Sequence, residues 1–247
     1  ALSTARSTSS RPAACTLART SPLAGLMVSK VAALGLPFWI AGAQGTPEAL
    51  VAAREAGAAG VQVGTLFALA TESGLDPALR DDVLTRLRDG TLDVRTEALT
   101  SPTGFPFKVA QLPGTLAEEG LVAARPRLCD LGYLRTPVQK EDGKVAYRCP
   151  AEPVHMYERK GGAAADTAGR SCLCNSLAAN VGLGQTRAEG YVEPPLVTLG
   201  VDVAGAARLA AQHEGSWSAR DALDWLLGEG SAVRVTDLTE RAVPVGS

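Results

Sequence analysis

The sequence has few aromatic residues, only two histidines and no long hydrophobic run. Aromatic side chains make up 4% of the 247 residues, which leaves little surface for stacking on nucleic-acid bases. The formal net charge is −2, so the chain also lacks the excess positive charge that binds a phosphate backbone. No apolar run approaches the roughly 18 residues of a membrane span. We therefore expect neither nucleic acid nor a membrane among its partners.

The first 30 residues contain no Asp or Glu and show no apolar periodicity. Such a segment cannot nucleate a core. Its Ser-rich, Arg-containing composition is typical of a transit peptide, but a stretch read out of frame or an ordinary disordered tail would have the same features. We therefore predict that residues 1–30 are disordered or non-native, and that the protein is cytoplasmic unless this segment is a transit peptide.

Two short apolar runs, 37–42 and 60–64, predict buried parallel strands. Capping residues and a proline at the first turn predict helices over 46–57 and 76–88. The βαβα order that results is the order of a parallel barrel or a doubly wound sheet.

Each of the two predicted strands ends beside a glycine and is followed by a helix. Gly42 and Ala43 follow the first strand, and Gly64 and Thr65 follow the second. A glycine lets the backbone approach an anion, and a helix N-terminus adds partial positive charge. Because Thr65 also offers a hydroxyl, these four residues predict a phosphate site.

These motifs carry a resemblance to a known family. The segments Ala41-Gly-Ala and Gly60-Val-Gln-Val-Gly-Thr resemble the seventh and eighth strand ends of the flavin-dependent barrels of the nitronate monooxygenase (2-nitropropane dioxygenase) family. That family usually has Gly-Gly in the first loop, where this chain has Ala43 as the second residue. Segments 102–108, 129–135 and 169–175 look like the C-terminal extension of a long actinobacterial-type branch.

The resemblance implies an α/β fold that comprises the last two βα units of a TIM-type (β/α)8 barrel, incomplete, followed by a mainly helical or irregular extension. Residues 31–100 would form the partial FMN-binding barrel and 101–247 the extension. The implied activity is FMN-dependent oxidative denitrification of alkyl nitronates, with a small-molecule substrate. The oligomeric state is not indicated.

A complete barrel of this kind needs about 250 residues and eight strands, but only 36 residues precede the strand that resembles the seventh. The chain is therefore expected to be N-terminally incomplete and inactive. Its sheet should keep an open edge, and it should bind FMN weakly and be poorly soluble. Two alternatives remain open: a flavin-dependent trans-acting enoyl reductase of polyketide or polyunsaturated fatty acid synthesis, and a non-catalytic remnant or interaction domain.

No residue matches the family's histidine base. We expect His155 and His213 to be solvated loop residues, and no base is recognisable beside Ser176 or Cys174. The chain therefore offers no identifiable catalytic residue.

Four of the five cysteines, Cys129, Cys149, Cys172 and Cys174, lie in the least regular part of the chain, 115–190. A tetrahedral zinc site of four thiolates is one interpretation. Buried reduced thiols are another, and a disulfide framework is a third. Beyond this part, the pattern predicts a strand over 92–99, a loop over 101–114, and helices over 203–212 and 218–227.

Overall fold

The computed structural model describes residues 15–18 and 23–228. They form a mixed α/β structure that divides into two compact units. The first unit contains the described residues through Val63 together with those from Asp224, and the second is Gly64–Leu223. This division differs from the predicted segments 31–100 and 101–247. The reason is that the elements after Val63 pack with the late part of the chain, as the bond from the Gly200 N–H to the Thr65 hydroxyl shows.

The first unit has a βαβαβ order. Its elements are β1 (Cys15–Ala18), α1 (Leu23–Ala32), β2 (Phe38–Ala41), α2 (Pro47–Glu55) and β3 (Gly60–Gln62). The strands are parallel in the order β1-β2-β3, with Ala41 opposite both Ala18 and Gln62. The predicted strands β2 and β3 and the helix α2 are confirmed, but β3 is half-buried at Gly60 and Val61 and exposed at Gln62, where a buried strand was predicted. As far as the described residues extend, the sheet stays open and does not close into a barrel.

Part of the segment predicted to be disordered or non-native is ordered. Residues 15–18 form a strand beside β2, and α1 begins at Leu23. Residues 1–14 and 19–22 lie outside the described residues. The absence of acidic residues does not prevent this, because a strand that pairs with β2 needs only backbone N–H and C=O groups.

The core of the first unit is a small apolar cluster. Phe38 and Ile40 alternate inward from β2 and are 2% and 3% exposed. They pack with Ala53 of α2, Ala58 and Val28. This burial is what places the carboxyl ends of β2 and β3 side by side.

The second unit is built from short elements. They are α3 (Thr65–Ala68), α4 (Pro77–Arg88), β4 (Val94–Glu97), β5 (Phe107–Ala110), α5 (Glu119–Ala124), β6 (Thr136–Gln139), β7 (Val145–Arg148), α6 (Val154–Arg159), α7 (Leu173–Ala179), α8 (Ala204–Ala210) and the start of α9 (Ala219–Leu227). The residues of α9 from Asp224 belong to the first unit. Single turns of 3₁₀ helix lie at Thr71–Ser73 and Ala164–Thr167. Among all described helices, none has the length and apolar character that crossing a membrane requires.

Local capping signals predicted two helix starts of this unit, those of α4 and α9, correctly. The Asp76 carboxylate accepts from the N–H groups of Ala78 and Leu79 at 2.9 and 3.3 Å. Ser218 and Asp221 form a reciprocal box, with N–H to side-chain distances of 2.8 and 3.1 Å. Each cap satisfies N–H groups that have no partner within the helix.

Two strand pairs were not predicted. The predicted loop over 101–114 contains β5, which pairs antiparallel with β4, and the irregular stretch contains the β6–β7 hairpin. Pairing satisfies the backbone of segments that have no clear apolar alternation of their own.

A fully buried tryptophan joins the start of the second unit to its end. Trp217 is 1% exposed, and its indole Nε1 donates to the Leu66 carbonyl at 2.7 Å. The Thr71 N–H in turn donates to the Trp217 carbonyl at 2.9 Å. Trp217 therefore holds the segment after α8 against α3.

We expect Trp217→Ala to lower the free energy of unfolding by about 3–5 kcal/mol, because it leaves a cavity and an unpaired Leu66 carbonyl. Urea unfolding followed by circular dichroism measures the loss. Leu183→Ala is the matched control, since Leu183 is 68% exposed and its truncation should change stability by less than about 0.5 kcal/mol. Equal effects of the two substitutions would contradict the assigned role of Trp217.

Candidate functional site

The loop between β2 and α2 has an unusual backbone. Gly42 has φ +83°, and Ala43, with φ +55°, is the one non-glycine residue with positive φ in the described ranges. A left-handed conformation costs an L-residue about 1–2 kcal/mol. The loop is therefore held in a shape that this alanine does not favour by itself.

A buried glutamine fixes one peptide of this loop. Gln44 is 3% exposed, and its Nε2 donates to the Gly42 carbonyl at 2.7 Å. In a trans peptide the carbonyl and the following N–H point in opposite directions. The Ala43 N–H therefore points away from the Gln44 amide.

The first turn of α2 is capped by its own side chain. The Thr46 Oγ1 accepts from the Ala49 N–H at 3.2 Å, and Pro47 has no N–H to satisfy. The Ala49 N–H is therefore already hydrogen-bonded and Pro47 offers no donor. An anion beside β2 would be held mainly by the N–H groups of the Gly42–Ala43 loop.

The second predicted pair begins the second unit. Gly64 has φ −103°, and a Cβ placed on it would meet no atom within 4 Å. The Thr65 Oγ1 accepts from the Gly200 N–H at 3.0 Å, which leaves the hydroxyl hydrogen to be donated elsewhere. Gly42 and Ala43 belong to the first unit, so the convergence of all four residues on one phosphate stays a prediction.

We expect Ala43→Gly to raise the free energy of unfolding by about 0.5–1 kcal/mol. The gain from relieving the left-handed strain exceeds the extra freedom of glycine in the unfolded chain. Chemical denaturation of both proteins measures the difference. Ala52→Gly, inside α2, is the control and should be destabilising by up to about 1 kcal/mol. A loss of the same size at Ala43 would refute the strain.

The four cysteines predicted as a possible metal site come together in the second unit. Cys149 and Cys172 are 5% and 4% exposed and share a cluster with Ala151, against which Cys174 packs. Cys129 precedes Asp130, which accepts from the side-chain amide of Asn175, the residue after Cys174, at 2.8 Å. We call Cys129, Cys149, Cys172 and Cys174 the cysteine cluster.

All members of the cysteine cluster are free thiols in this structure. Burial raises the pKa of the Cys149 thiol, and it raises that of Cys172 to about 11. In each case a backbone N–H, from Ala151 and Asn175 respectively, donates to the sulfur and opposes this rise. Within the described part of the chain, no three His, Cys, Asp or Glu side chains are already placed to hold a metal ion.

A buried carboxylate and an arginine fix the loop that follows Cys149. Glu152 is 0% exposed, accepts from Lys160 Nζ at 2.6 Å and lies 3.7 Å from Arg135 Nε. Arg127 donates to the carbonyls of Pro150 and Glu152 and to that of Thr167. These bonds join the segments that lie on either side of the cysteine cluster.

A second buried ion pair lies nearby. Arg125 donates to both carboxylate oxygens of Glu193, at 2.6 and 3.0 Å, with side-chain exposures of 7% and 0%. Burial opposes the charge on Arg125, but the bond to Glu193 outweighs it and raises the pKa of the guanidinium. Burial, with the bond to Glu193 and its charge, raises the pKa of Tyr191 to about 12.

Glu193→Gln is expected to lower the free energy of unfolding by about 3–5 kcal/mol, because it leaves the Arg125 charge buried without its partner. Thermal or urea unfolding of the purified variant tests this. Glu189→Gln removes the same charge from an exposed position nearby and should have an effect below about 0.5 kcal/mol. Similar losses in both variants would show that net charge, not the buried pair, matters.

An apolar cavity of about 490 Å³ lies beside the cysteine cluster. Phe105, Phe107, Tyr133, Leu134 and Cys174 contribute to its wall. Cys174 is the member of the cluster that contributes to this wall.

The remaining candidate groups show no catalytic geometry. Ser176 is buried and donates its hydroxyl to the Cys172 carbonyl at 2.9 Å. This hydroxyl is therefore hydrogen-bonded to the backbone at the start of α7. His155 is exposed but lies on α6 instead of in the predicted loop. His213 is half-buried, with its ring centroid 6.4 Å from that of Trp217.

Sequence reasoning missed Gln44, Glu152 and Glu193. Buried polar residues are not distinguishable from solvated ones in one sequence, because their partners are distant in the chain. The position of Gln44 directly after Gly42 and Ala43 was the one local signal.

No protein-family model, curated protein or solved structure matches this chain.

Proposed function

We propose that the chain belongs to an FMN-dependent oxidoreductase of the nitronate monooxygenase type, and that the Gly42–Ala43 loop binds the FMN phosphate. In this proposal β2 and β3 are the last two strands of a (β/α)8 barrel. The parallel pairing of β2 with β3, through a connection that contains α2, is compatible with that assignment.

The left-handed conformation of Ala43 is the observation that carries the proposal. Strained residues persist where the surrounding structure over-determines them, and they cluster at ligand sites. Ala43 also stands where the resembled family usually has a glycine in its phosphate loop. Conformation and sequence position thus point to the same residue.

The donors of this loop suit a phosphate. Phosphate oxygens accept hydrogen bonds, and fixed backbone N–H groups provide donors without a rearrangement. The bond from Gln44 to the Gly42 carbonyl keeps the Ala43 N–H turned away from Gln44.

Bound FMN would supply the redox chemistry by accepting electrons from an alkyl nitronate. The residues discussed here bind and orient the cofactor through its phosphate. Neither His155 nor His213 is assigned the role of catalytic base.

FMN is expected to bind at least about tenfold more tightly than riboflavin, which lacks the phosphate. Charge-assisted hydrogen bonds contribute about 1.5–3 kcal/mol, and 1.4 kcal/mol is a factor of ten. Titration with quenching of flavin fluorescence measures both affinities. Equal affinities for the two flavins, or no binding of either, would contradict the proposed phosphate site.

The substitution Gly64→Leu tests for a phosphate site in a variant that should still fold. The residue has φ −103° and open space around its Cβ position, so the fold should accept the leucine. The variant should bind FMN no better than riboflavin, because the leucine side chain would fill the space that the phosphate oxygens need. Gly120→Leu is the control, since Gly120 also has open space around it, and it should keep the preference for FMN. A nicotinamide requirement for flavin reduction would instead favour the enoyl reductase assignment.

A further inference from the structure

The cysteine cluster is not part of the proposed flavin site. Four of the five cysteines of the chain belong to it, and they come from three separate segments. Cys149, Cys172 and Cys174 lie in one apolar cluster, and Asp130, next to Cys129, accepts from Asn175, next to Cys174, at 2.8 Å. A metal ion bound by all four sulfurs would account for this grouping.

Two guanidinium groups lie at the segments that carry the sulfurs. Arg135 Nη2 donates to the Cys129 sulfur at 3.4 Å. Arg127 donates to the carbonyls of Pro150 and Glu152, directly after Cys149. Four thiolates around a divalent cation retain two negative charges, which these groups would offset.

A buried asparagine connects two of the segments that carry the sulfurs. Asn175 is 0% exposed, donates its side-chain amide to Asp130 at 2.8 Å, and donates its backbone N–H to Cys172. Its Oδ1 is buried and has no hydrogen-bond partner. Asn175 thus holds the segment of Cys129 beside that of Cys172 and Cys174.

We propose that Cys129, Cys149, Cys172 and Cys174 bind one Zn²⁺ as a closed tetrathiolate site. Since the side chains do not yet stand in metal-holding positions, they would rotate toward a common point, with Zn–S distances of about 2.3 Å. Each thiol loses its proton to solvent as its bond to zinc forms. A four-ligand shell leaves no open position, so the role is structural. The ion would join short elements that have a limited core of their own.

The full chain, expressed in zinc-supplemented medium without a histidine tag, should contain about one zinc per molecule by mass spectrometry of metals. Cys172→Ser should contain at least tenfold less zinc. Cys15→Ser is the control, because Cys15 is the one cysteine outside the cluster, and it should retain the metal. Zinc-free wild-type protein, or full retention in Cys172→Ser, would overturn the proposal.

Two further measurements use the unmodified protein and so do not depend on the folding of a variant. Exchange into Co²⁺ should give the intense near-ultraviolet charge-transfer bands of cobalt–thiolate bonds. Zinc should also slow the reaction of Cys174 with a thiol reagent, since this residue lines the open cavity. A spectrum without thiolate bands, thiol reactivity unchanged by zinc, or a brown protein with iron and sulfide would each refute a zinc site. None of these readouts requires flavin binding.

Discussion

Two buried carboxylates determine how the least regular part of the second unit is arranged. Glu152 and Glu193 are 0% and 1% exposed, and a buried carboxylate without a cation costs several kcal/mol. Arg125 therefore reaches Glu193 across a separation of 68 residues, while Lys160 and Arg135 lie beside Glu152. These pairings fix the distances between segments whose short elements could not do so alone. The cysteine cluster forms among the segments that they hold.

The first unit depends on a different constraint, which is the burial of an apolar strand. Phe38 and Ile40 can leave water only if β2 lies between its two neighbours and beneath a helix. Placing them so brings the loop after β2 to the edge of the sheet with its geometry already fixed. The strained backbone of Ala43 is tolerated because burial of the strand and the bond from Gln44 fix the conformation of the loop.

Features that depend on neighbouring residues could be predicted from the sequence, and those that depend on distant ones could not. The caps at Thr46, Asp76 and Ser218 are local, and the helices that they start were predicted correctly. The β6–β7 hairpin and the burial of Trp217 were missed, because each arises from pairing or packing with a partner that local periodicity does not reveal. The same limit applies to the sites: glycine positions predicted the loops, but not Gln44, and spacing predicted a possible cysteine cluster, but not its ionic surroundings.

The two proposed sites would both stabilise negative charge with hydrogen-bond donors. At the loop after β2 the donors would be backbone N–H groups, and at the cysteine cluster the Arg135 guanidinium donates to the Cys129 sulfur. Backbone donors are part of the fold and lose little freedom when an anion arrives, whereas a lysine must give up rotamer entropy. A chain with a net charge of −2 can hold anions in this way because fixed dipoles act locally, where the overall charge has little influence. It follows that the positions to examine for ligand binding are those where the backbone is fixed by buried side chains, as Gln44 fixes Gly42 and as Arg127 fixes the loop after Cys149.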